Sequence, residues 1–332
     1  MKIKKIIIIS VILIVVGIAT AFTGLAIAGF NIGELDGSVI SKTYDIDSNF
    51  ESIECEMEVS DLNFYLTTDD KNYALCLEKE NITFDVKVID NVLTIKENYK
   101  FKPMIFENTE VSLYLNKDTI QNLNIKTDTG DICILDQFNF NNIKIEGSTN
   151  DVEFMGIVSN EININLTTGD VWSDKIITNN MSVIVSTGDI DITNSKINNN
   201  LNIETSTGEV ELRNIEIVND LTSKGTTGDF NLEHITCNNI NLTYTTGDVE
   251  LNDVVARGNM NIETDTGDVE LIHSDASNIY ITTDTGKVEG SILTDKKFDA
   301  KSDTGKVSVP NVNSGGICKI RTSTGRINIV IE

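Results

Sequence analysis

The stretch Ser182-Val183-Ile184-Val185-Ser186-Thr187-Gly188-Asp189-Ile190-Asp191-Ile192 is answered twenty residues on by Asn202-Ile203-Glu204-Thr205-Ser206-Thr207-Gly208-Glu209-Val210-Glu211-Leu212. In both, apolar residues alternate along the chain up to a Thr-Gly-acid turn and alternate again after it. Spacing by two on each side of a glycine turn describes two short strands, each with one face inward. The unit recurs. With the turn glycine as its mark it falls at Gly130, Gly169, Gly188, Gly208, Gly228, Gly247, Gly267, Gly286, Gly305 and Gly325, and Asn150 fills the one gap. Asn best replaces Gly where φ must be positive, so Asn150 is expected to be left-handed. Every interval is 19 or 20 residues, which leaves no room for insertions.

Apolar columns hold a constant distance from the mark. One stands seven before it, from Leu123 to Cys318, and one five before it, from Ile125 to Ile320. Another stands two after it, from Ile132 to Ile327, and a fourth four after it, broken by Ser173 and Gly290. A looser spot seven to nine after the mark (Ile176, Ile197, Ile215, Ile235, Val254) supplies a third side. Eight before the mark, Asn122, Asn142, Asn180, Asn200, Asn239, Asn259 and Asn278 form a polar column whose stacked amides can bond along the rod.

One repeat buries too little apolar surface to offset the ordering of its own backbone, so the repeats must stack. The chain is therefore read as all-β, a parallel β-solenoid of about eleven rungs over residues 116–332. Right-handed winding is the default for parallel crossovers. Residues 30–115 do not share the period. Asp85–Lys96, with Asp90-Asn91 as its turn, reads as antiparallel strands, and Pro103 suits an edge or loop. This region is expected to be an N-terminal antiparallel β cap.

Residues 1–5 form a basic tail, and 6–29 run without a charge. As a helix that run would be about 36 Å long, enough to cross a hydrocarbon core of about 30 Å. It reads as one transmembrane signal anchor with the lysines in the cytoplasm and the bulk of the chain exported, single-pass, at a bacterial cell membrane. A cleaved signal peptide is the rival, since Ala26-Ile27-Ala28 fits a cleavage site; the apolar stretch is about twice the usual length for one. The exported body carries 23 basic and 51 acidic residues, a net of −28. Such a surface repels phosphate backbones, which argues against nucleic-acid partners. The five cysteines, Cys55, Cys76, Cys133, Cys237 and Cys318, show no metal spacing and read as apolar filler; a Cys55–Cys76 disulfide has no other support.

Candidate chemistry is thin. Asp-Thr-Gly at Asp128, Asp265, Asp284 and Asp303 resembles an aspartic-protease turn, but other repeats replace the Asp by Ser or Thr, and a dyad needs two unique aspartates. One after the mark runs a charged column that includes Asp170, Asp189, Asp229, Asp248 and Asp268. It reads as a solvated turn ladder, with Ca²⁺ binding as the functional alternative and the only cofactor considered. The column turns basic at Lys287, Lys306 and Arg326, near a chain end with no capping segment. That tip is the candidate contact for an acidic partner or a second copy. His234 and His273 are expected to face solvent, and no catalytic residue is assigned. The constant intervals leave no loops for the cleft of a carbohydrate-active β-helix.

Val111-Ser112-Leu113-Tyr114-Leu115, leading through Leu123-Asn124-Ile125 into Thr129-Gly130-Asp131-Ile132 and its repeats, resembles the bacterial "putative adhesin" β-strand-repeat family of unassigned function. The resemblance covers about residues 40–332 and rests on the repeat. Asn116 departs from it, since many relatives carry Pro there. It implies a cell-envelope protein, in some cases encoded with stress-response or regulatory membrane proteins, and brings no catalytic residues. The functional expectation is an adhesin-like, non-enzymatic binding scaffold for a protein or cell-wall partner. An accessory of envelope-stress signalling is the alternative.

Overall fold

A computed structural model describes residues 38–100 and 109–332. The expected transmembrane segment 6–29, its basic tail, the Ala28 cleavage site and Pro103 lie outside the described residues. Within them every regular element is a β-strand. The repeats stack in parallel with equal positions over one another. Leu123, Ile143, Ile162, Met181 and Leu201 stand in one column. Across the turn, Ile132, Val152, Val171, Ile190 and Val210 stand in another. Short strands such as Ile177–Thr178 and Lys196–Ile197 make the third side. Ile176, Ile197, Ile215, Ile235 and Val254 are all buried there, and one continuous apolar core runs along the rod.

Gly188 shows a turn glycine required twice over. Gly188 has φ 145°, which L side chains rarely adopt, and a Cβ on it would lie 2.0 Å from the carbonyl oxygen of Gly169 in the rung below. Asn150 corrects the expectation made for it. It is not among the positive-φ residues. Instead its buried side chain donates from Nδ2 to the Gly130 carbonyl at 2.7 Å, so it holds the turn by a hydrogen bond between rungs. A second corner with positive φ lies six after the mark, at Gly156, Lys175, Asn194, Asn214, His234, Asp253 and His273. The asparagine column eight before the mark bonds in part as expected, with Asn142 donating to Asn122 at 2.9 Å and Asn278 to Asn259 at 3.0 Å.

Both ends of the rod are laid down out of sequence order. At the N-terminal end the antiparallel cap is present: Ile82–Ile89 lies along Val92–Tyr99, Asn72–Glu78 along Glu110–Leu115, and Ile40–Ile46 along Asn72–Glu78. It rests on two further parallel turns. Ile53 and Cys55 continue the columns of Leu123 and Ile125, and Leu62 and Phe64 those of Ile132 and Ile134. Beyond them, Val92–Tyr99 and Glu110–Leu115 pair in parallel with Ser52–Met57 and Asp61–Leu66. The mark of the inner turn is Ser60, not glycine, and Asp61 stands 70 residues from its stacking partner Asp131, so the period is hidden in the sequence.

At the other end the last rung in sequence is not the last in space. Cys318 stands between Ile279 and Phe298, and Ile327 between Val288 and Val307. The chain therefore passes out to the turn marked by Gly305 and folds back to slot its final strands inside it. The expectation that the chain stops on an open rung beyond Arg326 is corrected accordingly: the open rung is Lys296–Ser302 with Val307–Ser308.

Candidate functional site

The acidic column is spent on the architecture. The N–H of Asp131 donates to Asp61 Oδ1 at 2.8 Å, that of Asp151 to Asp131 at 3.0 Å, that of Asp170 to Asp151 at 2.8 Å, and those of Asp189 and Glu209 to Asp170 and Asp189 at 2.7 Å. The pattern resumes from Asp229 through Asp248 and Asp268, and the Lys287 N–H donates to Asp268 Oδ1 at 2.8 Å. Apart from Glu209, each carboxylate of the run accepts from the next turn, a charge-assisted bond that offsets repulsion between neighbours. Lys287 places its Nζ 3.0 Å from Asp268 Oδ2, so the change of sign in the sequence closes the column with an ion pair. Burial works to raise the Asp268 pKa, but the backbone and side-chain hydrogen bonds from Lys287 outweigh it and leave it lowered. Asp61, at the opposite end, is raised by burial, against the bond from Asp131. Among the described residues no group of three or more His, Cys, Asp or Glu is placed to hold a metal ion.

The three basic residues of the expected tip stand at one position of three successive rungs, in the order Lys287, Arg326, Lys306. Arg326 forks onto Glu289, its Nη2 at 2.7 Å from Oε2. Lys306 belongs to the outermost turn and is exposed; spatially Arg326 lies between it and Lys287. His234 and His273 are about half exposed and flank Asp253 in the left-handed corner, at 3.5 and 3.8 Å. His273 Nε2 also lies 2.5 Å from Glu332 Oε2. The four form a row along the rod and do not converge on a point. Asp128, Asp265, Asp284 and Asp303 are exposed at one equivalent position of their turns, so no two of them face each other as a dyad would.

All five cysteines are free, and burial pushes the thiols up, to about 12 for Cys76, Cys237 and Cys318 and about 11 for Cys133. Two residues escaped sequence reasoning. Glu97 is buried, and its Oε2 accepts the N–H groups of Glu58, Val59 and Ser60 at 2.8, 3.1 and 3.3 Å, capping the Ser60 turn. Beside it, Glu58 is raised by burial and by the Asp128 charge. Lys296 is also buried and lies 2.6 Å from Asp275, tying the outermost turn to the body. Nothing in a single sequence marks a lysine as buried; only its place opposite Asp275 does. The concavities are open grooves, one of about 490 Å³ beside Glu58, Glu97 and Asp128 and one of about 740 Å³ beside Asp275 and Lys296.

The model of the family described as Toastrack DUF4097 matches residues 44–233 and 216–332. No curated protein is a significant match. Among solved structures, a "putative adhesin" from Parabacteroides distasonis ATCC 8503 aligns at 15% identity with a TM-score of 0.47, covering 89% of this chain and 98% of that one. A "putative lipid binding protein" from the same organism aligns at 16% identity with a TM-score of 0.43, over 89% and 98% of the two chains. A "putative adhesin" from Bacteroides fragilis NCTC 9343 aligns at 15% identity with a TM-score of 0.35, over 88% and 97%.

Proposed function

The chain belongs to the Toastrack DUF4097 family, and from that premise we propose that it is a non-enzymatic protein of the cell envelope, an adhesin-like scaffold that binds a protein or cell-wall partner along its rod. The observation that carries this reading is how the polar columns are used. The carboxylates that recur rung after rung accept backbone N–H groups of the next turn, and the grooves between rungs are shallow and open. Side chains so engaged are held as a rigid, flat, acidic surface, which suits recognition over an extended area better than chemistry at a point. The basic start and uncharged run of residues 1–29 support a body outside the cytoplasm, tethered to the membrane.

The same tether favours the second reading, an accessory of envelope-stress signalling that works beside membrane partners. Proximity labelling from intact cells with the full-length chain separates the two. Cell-wall or extracellular partners are expected; recovery of membrane proteins alone would overturn the adhesin-like reading in favour of the second.

A further inference from the structure

The two ends of the rod differ. The N-terminal end is covered, because the outer strands Val92–Tyr99 and Glu110–Leu115 each carry an antiparallel strand on their far side. At the other end, among the described residues, Lys296–Ser302 pairs only with Gly316–Thr324, and Val307–Ser308 only with Ile327–Ile331. The apolar core is open there. Phe298, Ala300 and Val309 are only partly buried, and Val307 is 37% exposed where its column neighbours Val288 and Ile327 are at 0%. The Asp303 N–H donates inward, to the Thr322 carbonyl at 3.2 Å. Backbone groups alternate sides along a strand, so the N–H and C=O of Phe298, Ala300 and Ser302 point away from the rod.

We propose that this edge is covered by a second copy of the chain, the two Lys296–Ser302 strands pairing antiparallel about a two-fold axis at Ala300. Charge selects that occupant and that register. Lys297, Asp299, Lys301 and Asp303 are exposed and alternate in sign. Centred on Ala300, antiparallel pairing sets Lys297 opposite Asp303 of the second copy and Asp299 opposite Lys301 of the second copy. Centred one residue either way, it opposes Asp299 or Lys301 to itself and sets a like-charged pair beside it. In the favoured register Phe298, Ala300 and Ser302 exchange the backbone bonds. The charged residues then fall at the non-hydrogen-bonded pairs, where side chains come closest. Within each copy Arg321 lies 2.5 Å from Asp299 and Lys301 2.8 Å from Asp303, which holds these side chains ready at the outer face. The contact is isologous, so it closes at two copies and leaves the N-terminal caps at opposite ends.

Light scattering on the full-length chain in detergent micelles tests this through the protein mass. A dimer is expected. K297E and D303K should each raise its dissociation constant about tenfold or more, because symmetry makes each reversal act on two pairs, and K297E/D303K should restore it. A300P should give a folded monomer, since it removes an N–H that the single chain does not bond. A wild-type chain that stays monomeric to about 100 µM overturns the proposal. So does a dimer indifferent to K297E, D303K and A300P, or one that the double reversal fails to restore while melting curves show both chains folded.

Discussion

Gly188→Ala is expected to destabilise the rod by about 2–4 kcal/mol. A φ of 145° is all but reserved for glycine, and holding alanine there costs about 1–3 kcal/mol. The new Cβ would also fall 2.0 Å from the Gly169 oxygen and 2.6 Å from its carbonyl carbon. Those are backbone atoms, held by the Gly169 N–H bond to Thr187 at 2.9 Å, so relief means parting the two rungs and losing about one bond, roughly 1 kcal/mol net. Gly156→Ala is the control. Its φ is 69°, but the nearest atom to a Cβ there is 3.7 Å away, so only the left-handed penalty of about 1–2 kcal/mol applies, less what alanine recovers in the unfolded chain. The assay is urea unfolding followed by the fluorescence of Trp172, the sole tryptophan, which stacks in register with Asp191 of the Gly188 rung. Equal losses for the two variants, or a loss under about 1 kcal/mol at Gly188, would refute the claim that close rung stacking demands glycine.

Asp189→Ala should cost about 1 kcal/mol and Asp189→Asn much less, because an amide oxygen still accepts the Glu209 N–H; equal losses in urea unfolding would count against the ladder's structural role. On acidification the ends of that column should oppose each other. The lowered pKa of Asp268 gives stability present above the unfolded value of about 4 and lost as pH falls through the folded one, whereas the raised pKa of Asp61 favours the protonated fold and takes stability away as pH rises. Melting curves between pH 3 and 6 should therefore show Lys287→Ala losing stability mainly at the upper end, and Asp61→Asn gaining it there; the reverse order would contradict the assignments. Lys296→Ala should cost about 3–5 kcal/mol by stranding the buried Asp275, with Lys296→Ala/Asp275→Ala recovering part of it in the same urea experiment; no recovery would mean the pair is not coupled. Hydrogen exchange should find the Ile327 amide, bonded to Lys306 at 2.9 Å, slower than the Val307 amide although it lies nearer the chain end; ordinary fraying at Ile327 would contradict the inserted rung.

Much of the rod was legible because its signal is repeated. The inward columns from Leu123 and Ile132 onward need no knowledge of distant contacts, and the third side was visible in Ile176, Ile197, Ile215, Ile235 and Val254. Single departures were not. Ser223 breaks an apolar column because its hydroxyl lies 2.7 Å from that of Tyr244, and Gly225 leaves the space where a Cβ would strike the Tyr244 ring at 2.1 Å. Ser173 breaks another while fully buried with its Oγ unpartnered, and the structure offers no account of it. The acidic column read as a turn ladder; that its carboxylates accept the N–H groups of the next rung, 19 or 20 residues on, needed the stacking itself.

The sequence by itself determined the parallel rod, its rung length, its inward faces and its strongly acidic exterior, since each follows from a pattern confined to about twenty residues. Only the tertiary structure decided the order of the rungs at the two ends: the Ser60 turn inside a later one, and the Gly325 turn inside the earlier Gly305 turn. The physical reason is the repeat itself. Rungs with matching columns can stack on one another in more than one order, so chain order does not dictate spatial order where a terminus is free to fold back. There the choice falls to contacts without periodicity, such as Lys296 with Asp275 and Glu97 with the Ser60 turn.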